Sequence, residues 1–256
     1  MVESSCRPPI PSKPLNPLNP SPPKAIDRLN DRLESSGPVI LPALLLCDFG
    51  HLAREVEALE KAGAAGLHLD IMDGQFVPQL TYGLVVVEAV RRATALPLEV
   101  HLMIQDPERS LADYALAGVD IITVHLESLV EPRKTLEMIR SLGPNAHLAI
   151  SPRTPVQQAV PFLDCCDGVL VMSVEPGYGG QAFEPDSLLK LAELSKLRDG
   201  GAGTFRLCID GGMSTHTVGP AAAAGAELIV AGSAVIRASS YADAIAHLEQ
   251  LARNAA

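Results

Sequence analysis

Residues 66–72 read Gly66-Leu67-His68-Leu69-Asp70-Ile71-Met72, a run in which two kinds of side chain take turns. Leu67, Leu69 and Ile71 share one parity while His68, Asp70 and Met72 share the other, and a period of two predicts a β-strand. A helical pattern comes before it: Leu52, Val56 and Leu59 recur at helical spacing, and Gly63 stops the run. Outward from this point the same alternation, a short β-branched or Leu-rich run and then a longer helical pattern, occurs eight times. Strands are expected at 39–46, 66–72, 97–103, 119–125, 146–150, 168–174, 204–209 and 226–231. Leu188, Leu189, Leu191, Leu194 and Leu197 mark one of the intervening helices. Eight consecutive βα units in about 220 residues fit a closed (β/α)8 TIM barrel, whose typical size is about 250 residues. A doubly wound open sheet would bring a glycine-rich GxGxxG turn after its first strand, and none follows Leu46.

The 256 residues are 47% hydrophobic and 20% charged, which suits one large globular domain and excludes a wholly disordered chain. The formal net charge of −10 has the wrong sign for gripping a phosphate backbone, so nucleic acid is not an expected partner. No apolar run approaches the roughly 18–20 residues of a membrane span, and no signal-peptide core opens the chain. A cytoplasmic protein without a membrane partner is expected. Cys6, Cys47, Cys165, Cys166 and Cys208 are odd in number and mostly sit in apolar runs, which indicates neither disulfides nor structural zinc. Pro8, Pro9, Pro11, Pro14, Pro17, Pro20, Pro22 and Pro23 leave no room for a helix in residues 1–24. The expected division is a Pro-rich, disordered extension over 1–36 and a barrel over 37–256. Ala25–Leu33 can add a short amphipathic helix before Gly37 and Pro38 break it.

Barrel interiors are filled by branched apolar side chains, so inward polar residues carry information. In the second strand the inward set is His68, Asp70 and Met72; in the third it is Glu99, His101 and Met103; in the seventh, Arg206, Cys208 and Asp210. A single buried histidine is usually a satisfied core residue, and an Asp after a strand is often a helix cap. Together, His68, Asp70, His101 and Asp210 demand more. Two unpaired carboxylates at an apolar barrel mouth would cost several kcal/mol each, and no Lys or Arg stands at their height. One divalent ion supplies the missing charge, and two imidazoles with two carboxylates suit Zn, Fe, Mn or Co better than Mg or Ca.

Glycine clusters form a second constellation. Gly177-Tyr178-Gly179-Gly180 follows the sixth strand, Gly211-Gly212 the seventh and Gly232-Ser233 the eighth. Glycines let backbone N–H groups approach an anion, and the loops after strands seven and eight are where barrels usually hold phosphate. The expected substrate is a small phosphorylated molecule with its reactive end at the metal. Strands two and seven lie three steps apart around the ring, so Asp70 and Asp210 approach from directions about 135° apart. Carboxylates so placed suit inversion of a carbon centre, one removing a proton and the other returning one to the far face. A divalent ion beside a ketone and its neighbouring hydroxyl would acidify that carbon. Met72, Met103 and Met172, at the ends of strands two, three and six, would line the site and exclude water.

The segments Leu67-His68-Leu69-Asp70-Ile71-Met72-Asp73-Gly74, Val100-His101-Leu102-Met103, Met172-Ser173-Val174-Glu175-Pro176-Gly177-Tyr178-Gly179-Gly180-Gln181 and Ile209-Asp210-Gly211-Gly212 resemble the ribulose-phosphate 3-epimerase family, collinearly over roughly residues 38–240. The resemblance implies a ribulose-phosphate-binding type of barrel with one divalent metal ion. It also implies interconversion of D-ribulose 5-phosphate and D-xylulose 5-phosphate in the pentose phosphate pathway, through a metal-stabilised enediolate. By motif position His68, Asp70, His101 and Asp210 match the family's metal ligands, with Asp70 as proton acceptor and Asp210 as donor, roles that exchange in reverse. Gly177, Tyr178, Gly179, Gly180, Gly211, Gly212, Gly232 and Ser233 match substrate and phosphate contacts, and His101 also counts among the substrate contacts. Relatives are often homo-oligomers.

Some positions depart from the pattern. Ala43 replaces a serine whose hydroxyl contacts the substrate, Gln79 an asparagine, and Arg153 a glycine. Ala43 bears on sugar preference, which keeps an allulose-6-phosphate 3-epimerase open beside a non-catalytic sugar-phosphate-binding barrel. His125 also has inward parity, and since four residues already complete a ligand set, it is expected beside them as a supporting residue. His51, His147, His216 and His247 have no expected role in the site.

Overall fold

A computed structural model of the chain describes residues 25–178 and 180–256; the Pro-rich stretch 1–24 and Gly179 lie outside the described residues. The eight strands are β1 (Val39–Pro42), β2 (Leu67–Met72), β3 (Leu98–Met103), β4 (Ile121–His125), β5 (Asn145–Ile150), β6 (Gly168–Met172), β7 (Arg206–Asp210) and β8 (Leu228–Ala231). The helices begin with α1 (Ala25–Ser36), α2 (Leu52–Lys61), α3 (Leu84–Ala93) and α4 (Leu111–Leu116). They continue with α5 (Pro132–Leu142), α6 (Asp186–Asp199), α7 (Val218–Ala223), α8 (Ser233–Ile236) and α9 (Tyr241–Ala255). The strands form one parallel sheet in the order β1-β8-β7-β6-β5-β4-β3-β2, and a parallel bridge between Ala43 and His68 joins its two ends. This is the expected (β/α)8 barrel. Among the described residues no helix is long and apolar enough to cross a membrane.

Strand parity sorts the side chains into two cores. Leu67, Leu69 and Ile71, with Leu98, Val100 and Leu102, pack outward into the layer under the helices. Val39, Leu41, Ile121, Ala149, Leu170, Cys208 and Leu228 fill the barrel interior. Each fully buried Leu or Val is worth about 1.5–3 kcal/mol, which fixes the register wherever one parity is apolar.

Two expectations need correction. The first concerns the boundary at residue 36, which places the 25–36 segment outside the barrel. Instead α1 closes the N-terminal end of the barrel: Ala25, Leu29 and Leu33, spaced four apart on one stripe, are buried, and Leu29 and Leu33 join the interior core. Arg32 fastens the helix by donating to the Gly63 carbonyl at 2.6 Å and to Glu249 at 2.9 Å. The helix ends where Gly37, at φ +78°, donates its N–H to the Leu33 carbonyl at 3.0 Å. The second concerns β1, expected to reach residue 46. Its partner β8 stops at Ala231, so no ladder remains beyond Ala43, and Leu44–Leu46 turns into a short 3₁₀ helix. That early end leaves the β2 residues beyond the Ala43–His68 bridge without a β1 ladder partner.

The barrel floor is tight at one point. His147 is buried in β5, and a methyl group on the neighbouring Gly168 would sit 2.5 Å from its Nε2. Gly168→Ala is expected to destabilise the fold by about 1–3 kcal/mol, the usual range for overpacking. His147→Ala in that background should recover part of the loss. Urea unfolding of the two single variants and the double variant checks both; additive effects would show that the ring and the new methyl do not meet.

Candidate active site

Three strands bring the polar residues together. Asp70 pairs with His101 in the β2–β3 register and Met172 with Asp210 in the β6–β7 register, and the side chains of His68, Asp70, His101 and Asp210 converge from β2, β3 and β7. The exposed edge of β2 is held by side chains rather than by β1. Tyr82 OH accepts the Asp70 N–H at 3.2 Å, Thr81 Oγ1 accepts the Met72 N–H at 3.0 Å, and the Thr81 hydroxyl donates to the Asp70 carbonyl at 2.8 Å. On β7, Ser173 grips the chain at the next residue: its N–H and hydroxyl both donate to the Asp210 carbonyl, at 2.8 and 2.9 Å.

His68, Asp70, His101 and Asp210 each offer one donor atom, and these atoms all lie within 4.8 Å of one another. His68 Nε2 is 3.3 Å from Asp70 Oδ1 and 3.9 Å from Asp210 Oδ2. His101 Nδ1 is 3.6 and 3.7 Å from the same two oxygens. Such separations belong to atoms converging on one ion at about 2.0–2.2 Å. Among the described residues, His68 Nε2 and His101 Nδ1 are the buried side-chain nitrogen or oxygen atoms left without a hydrogen bond. A buried polar atom without a partner costs about 1–3 kcal/mol, so two aimed at the same pair of aspartates fit a site for a divalent cation.

The two aspartates differ electrostatically. Burial alone would raise the pKa of Asp70, but His68 and His101 outweigh it and hold the carboxyl well below its usual range. Burial pushes Asp210 up; His68 opposes this, while Asp70 and Glu99 push it further, leaving it well above the usual carboxylate range. A carboxyl held low beside one pushed up to about 7 suits a proton acceptor paired with a proton donor.

Above the cluster lies a cavity to which Asp70 and Asp210 both contribute, with Met72, Met103 and Met172 in its wall. His68 and His101 lie beneath it, fully buried. Gly177, Tyr178, Gly180, Gly211, Gly212, Gly232 and Ser233 also line the cavity. Gly179 lies outside the described residues. Gly212 has φ +61°, and a methyl there would come within 2.8 Å of the Phe183 backbone, so a side chain is excluded twice over. Ala43 lines the same cavity with a methyl group.

Further polar residues stand behind the cluster. Glu99 is a third buried carboxylate, 2.9 Å from His68 Nδ1 and accepting the Thr123 hydroxyl at 2.6 Å. His125 is where its parity puts it, its Nε2 2.8 Å from His101 Nε2. Behind His125 stands Glu127, 3.2 Å from its Nδ1 and accepting the Ser151 N–H at 2.8 Å and the Thr154 hydroxyl. His147 stays outside the cluster, between Glu99 and Cys208.

Burial alone would raise Glu127, but its hydrogen bonds from His125, Thr154 and Ser151 outweigh this and hold it at about 2, against an ordinary 4.5. A depressed folded-state pKa gives stability that is present above pH 4.5 and drains away as pH falls through 4.5 toward 2. The stability gap between wild type and Glu127→Gln is therefore expected to narrow between pH 6 and pH 3 in urea unfolding. A gap that stays constant would mean that Glu127 gains nothing from its charge.

The model of the Ribulose-phosphate 3 epimerase family matches residues 39–236. The chain is 43% identical over 214 residues to the ribulose-phosphate 3-epimerase of Synechocystis sp., covering 83% of this chain and 93% of that protein. It is 41% identical over 236 residues to the chloroplastic ribulose-5-phosphate-3-epimerase of Arabidopsis thaliana, covering 91% of this chain and 83% of that one. With the ribulose-phosphate 3-epimerase of Bacillus subtilis it shares 41% over 210 residues, 82% and 97% of the two chains. Among solved structures it is similar to KGPDC from Streptococcus mutans, with a TM-score of 0.64 at 16% identity over 85% of this chain and 98% of that one. At such identity the likeness concerns the fold alone.

Proposed function

The chain belongs to the ribulose-phosphate 3-epimerase family, and from that premise we propose that it interconverts D-ribulose 5-phosphate and D-xylulose 5-phosphate by proton transfer at carbon 3, through an enediolate. It is an isomerase of the carbohydrate-phosphate 3-epimerase type. Asp70, whose carboxyl His68 and His101 hold low, removes the carbon-3 proton on one face, and Asp210, whose burial lets it carry a proton more readily, delivers a proton to the other. In the reverse direction the roles exchange. A single base would return the proton to the face it came from, so inversion needs both aspartates. A divalent cation held by His68, Asp70, His101 and Asp210 would neutralise the charge that develops on the substrate oxygens.

The glycine-lined part of the cavity fits the phosphate end: Gly177, Gly211, Gly212, Gly232 and Ser233 all line it. Met72, Met103 and Met172 give the reacting end an apolar wall that keeps competing water away. The cytoplasmic setting expected from the sequence accords with the bacterial relatives, while the Arabidopsis relative is chloroplastic.

The observation that carries this function is the pair of bare, buried nitrogens, His68 Nε2 and His101 Nδ1, aimed at Asp70 and Asp210 under a glycine-lined cavity. In deuterated water the protein is expected to exchange the carbon-3 hydrogen of ribulose 5-phosphate while xylulose 5-phosphate accumulates, both followed by NMR. No exchange would leave a sugar-phosphate-binding barrel. The six-carbon alternative has one observation on its side, the methyl group of Ala43 in the cavity wall. Turnover on allulose 6-phosphate, measured beside the pentulose, decides between them.

A further inference from the structure

We propose that Glu99 and Glu127 are positioning residues: Glu99 directly, and Glu127 through His125, fix which nitrogen of His68 and of His101 carries a proton, leaving the two nitrogens that face Asp70 and Asp210 free to bind a divalent cation. The inference rests on the cation site proposed above.

An ionised carboxylate only accepts hydrogen bonds. Glu99 is fully enclosed; one of its oxygens accepts the Thr123 hydroxyl and the other stands 2.9 Å from His68 Nδ1. His68 Nδ1 must therefore be the donor. Its proton stays on the far side of the ring, so a cation displaces nothing from Nδ1 and meets Nε2, 3.3 Å from Asp70.

The second chain is one member longer and reaches the same result with the ring turned round. Glu127 Oε1 accepts the Ser151 N–H and the Thr154 hydroxyl, and Oε2 stands 3.2 Å from His125 Nδ1. His125 Nδ1 is thus the donor at that end. At the other end, two imidazole nitrogens lie 2.8 Å apart, a contact that needs one proton and one lone pair. With its proton committed to Glu127, His125 offers the lone pair on Nε2, and His101 Nε2 donates to it. The lone pair of His101 is then on Nδ1, the atom 3.6 and 3.7 Å from the two aspartates. The opposite assignment would set His125 Nδ1 as an acceptor against the nearer Glu127 carboxylate, which can only accept, leaving it the longer 3.4 Å contact with Ser151 Oγ, and would place an N–H where the cation belongs. Both histidines are fully buried, and the Phe76 ring packs on His125 at 5.0 Å between centroids. The chain therefore has one consistent direction of donation, set at its rim by Glu127.

The test is Zn(II) affinity, read by competition with a chromophoric chelator, on the full-length protein and on Glu99→Leu, Glu99→Gln, His125→Leu, His125→Gln and Glu127→Leu. The Leu variants at 99 and 125 are expected to bind Zn(II) about 10–100-fold more weakly, the usual effect of losing a partner behind a ligating histidine. The Gln variants keep a carbonyl that accepts from His68 Nδ1 or His101 Nε2, and are expected to return to within about fivefold of wild type. Circular dichroism and urea unfolding of the metal-free forms establish that each variant folds. Should the buried Leu variants fail to fold, Glu127→Leu decides, since Glu127 reaches the surface and lies two hydrogen bonds from His101; at least about threefold weaker binding is expected there. Leu variants that bind like wild type, or Gln variants as weak as their Leu counterparts, overturn the proposal, the second result reducing both residues to packing. A wild type that binds no Zn(II) overturns the cation site itself and is distinguishable from those outcomes, because they require that wild type binds.

Discussion

Asp210→Asn is expected to lower kcat for interconversion of the two pentulose phosphates by at least about 10³-fold while leaving the barrel folded. Asn has the shape of Asp, and the backbone at this position is held by β6 and by Ser173 rather than by the Asp210 side chain, so the geometry survives. What disappears is a group able to give a proton to carbon. Burial, Asp70 and Glu99 keep Asp210 protonated more readily than an ordinary carboxylate, against the pull of His68. With it gone, Asp70 still faces the substrate, but a proton removed by Asp70 returns to the face it left. A positioned acid or base accounts for about 10²–10⁴-fold, and any weakening of the proposed cation site by the amide adds to that. The variant's kcat, measured together with its metal content, separates the two contributions. A kcat within tenfold of wild type would remove Asp210 from proton transfer.

His68, Asp70, His101 and Asp210 are legible in the sequence because each sits on a strand whose other parity is purely apolar. Leu67, Leu69 and Ile71 belong to the outer core, and that alone turns His68 and Asp70 inward. Glu99 shares the inward parity of His101, yet its partner could not be read, because the pairing of His68 with Glu99 depends on the β2–β3 register, which no local pattern states. Glu127 lies past the end of β4, where periodicity has stopped, and its contact with His125 is a product of the turn that follows. Thr81 and Tyr82 matter only because β1 ends early, which follows from the length of β8 rather than from any signal in residues 39–46. The stripe of α1 is visible as spacing, but its docking on the barrel floor is set by where the interior core is left open. Local sequence thus specifies which side chains enter the barrel, and strand register specifies which of them meet.

If the proposed site holds a divalent metal, removing it is expected to lower kcat about 10³–10⁴-fold, matching the several kcal/mol that such an ion contributes at a developing oxyanion, with recovery on adding Zn, Co, Mn or Fe. The stripped protein should also melt at a lower temperature than the loaded one, because a ligand that binds only the folded state stabilises it by mass action. Both effects follow from the same atoms. Without a cation, His68 Nε2 and His101 Nδ1 lack hydrogen-bond partners, and Asp70 and Asp210 face each other across the cluster with Glu99 close behind. Burial makes that crowding costly, since little water reaches the carboxylates to screen them. Chelation followed by dialysis, with kcat and the melting temperature measured before and after restoring each metal, checks the pair of effects together. A stripped enzyme that keeps its kcat would show that the aspartates and imidazoles suffice for proton transfer. If its melting temperature fell all the same, the ion would be a structural clamp, and the asymmetry between Asp70 and Asp210 would have to carry the chemistry alone.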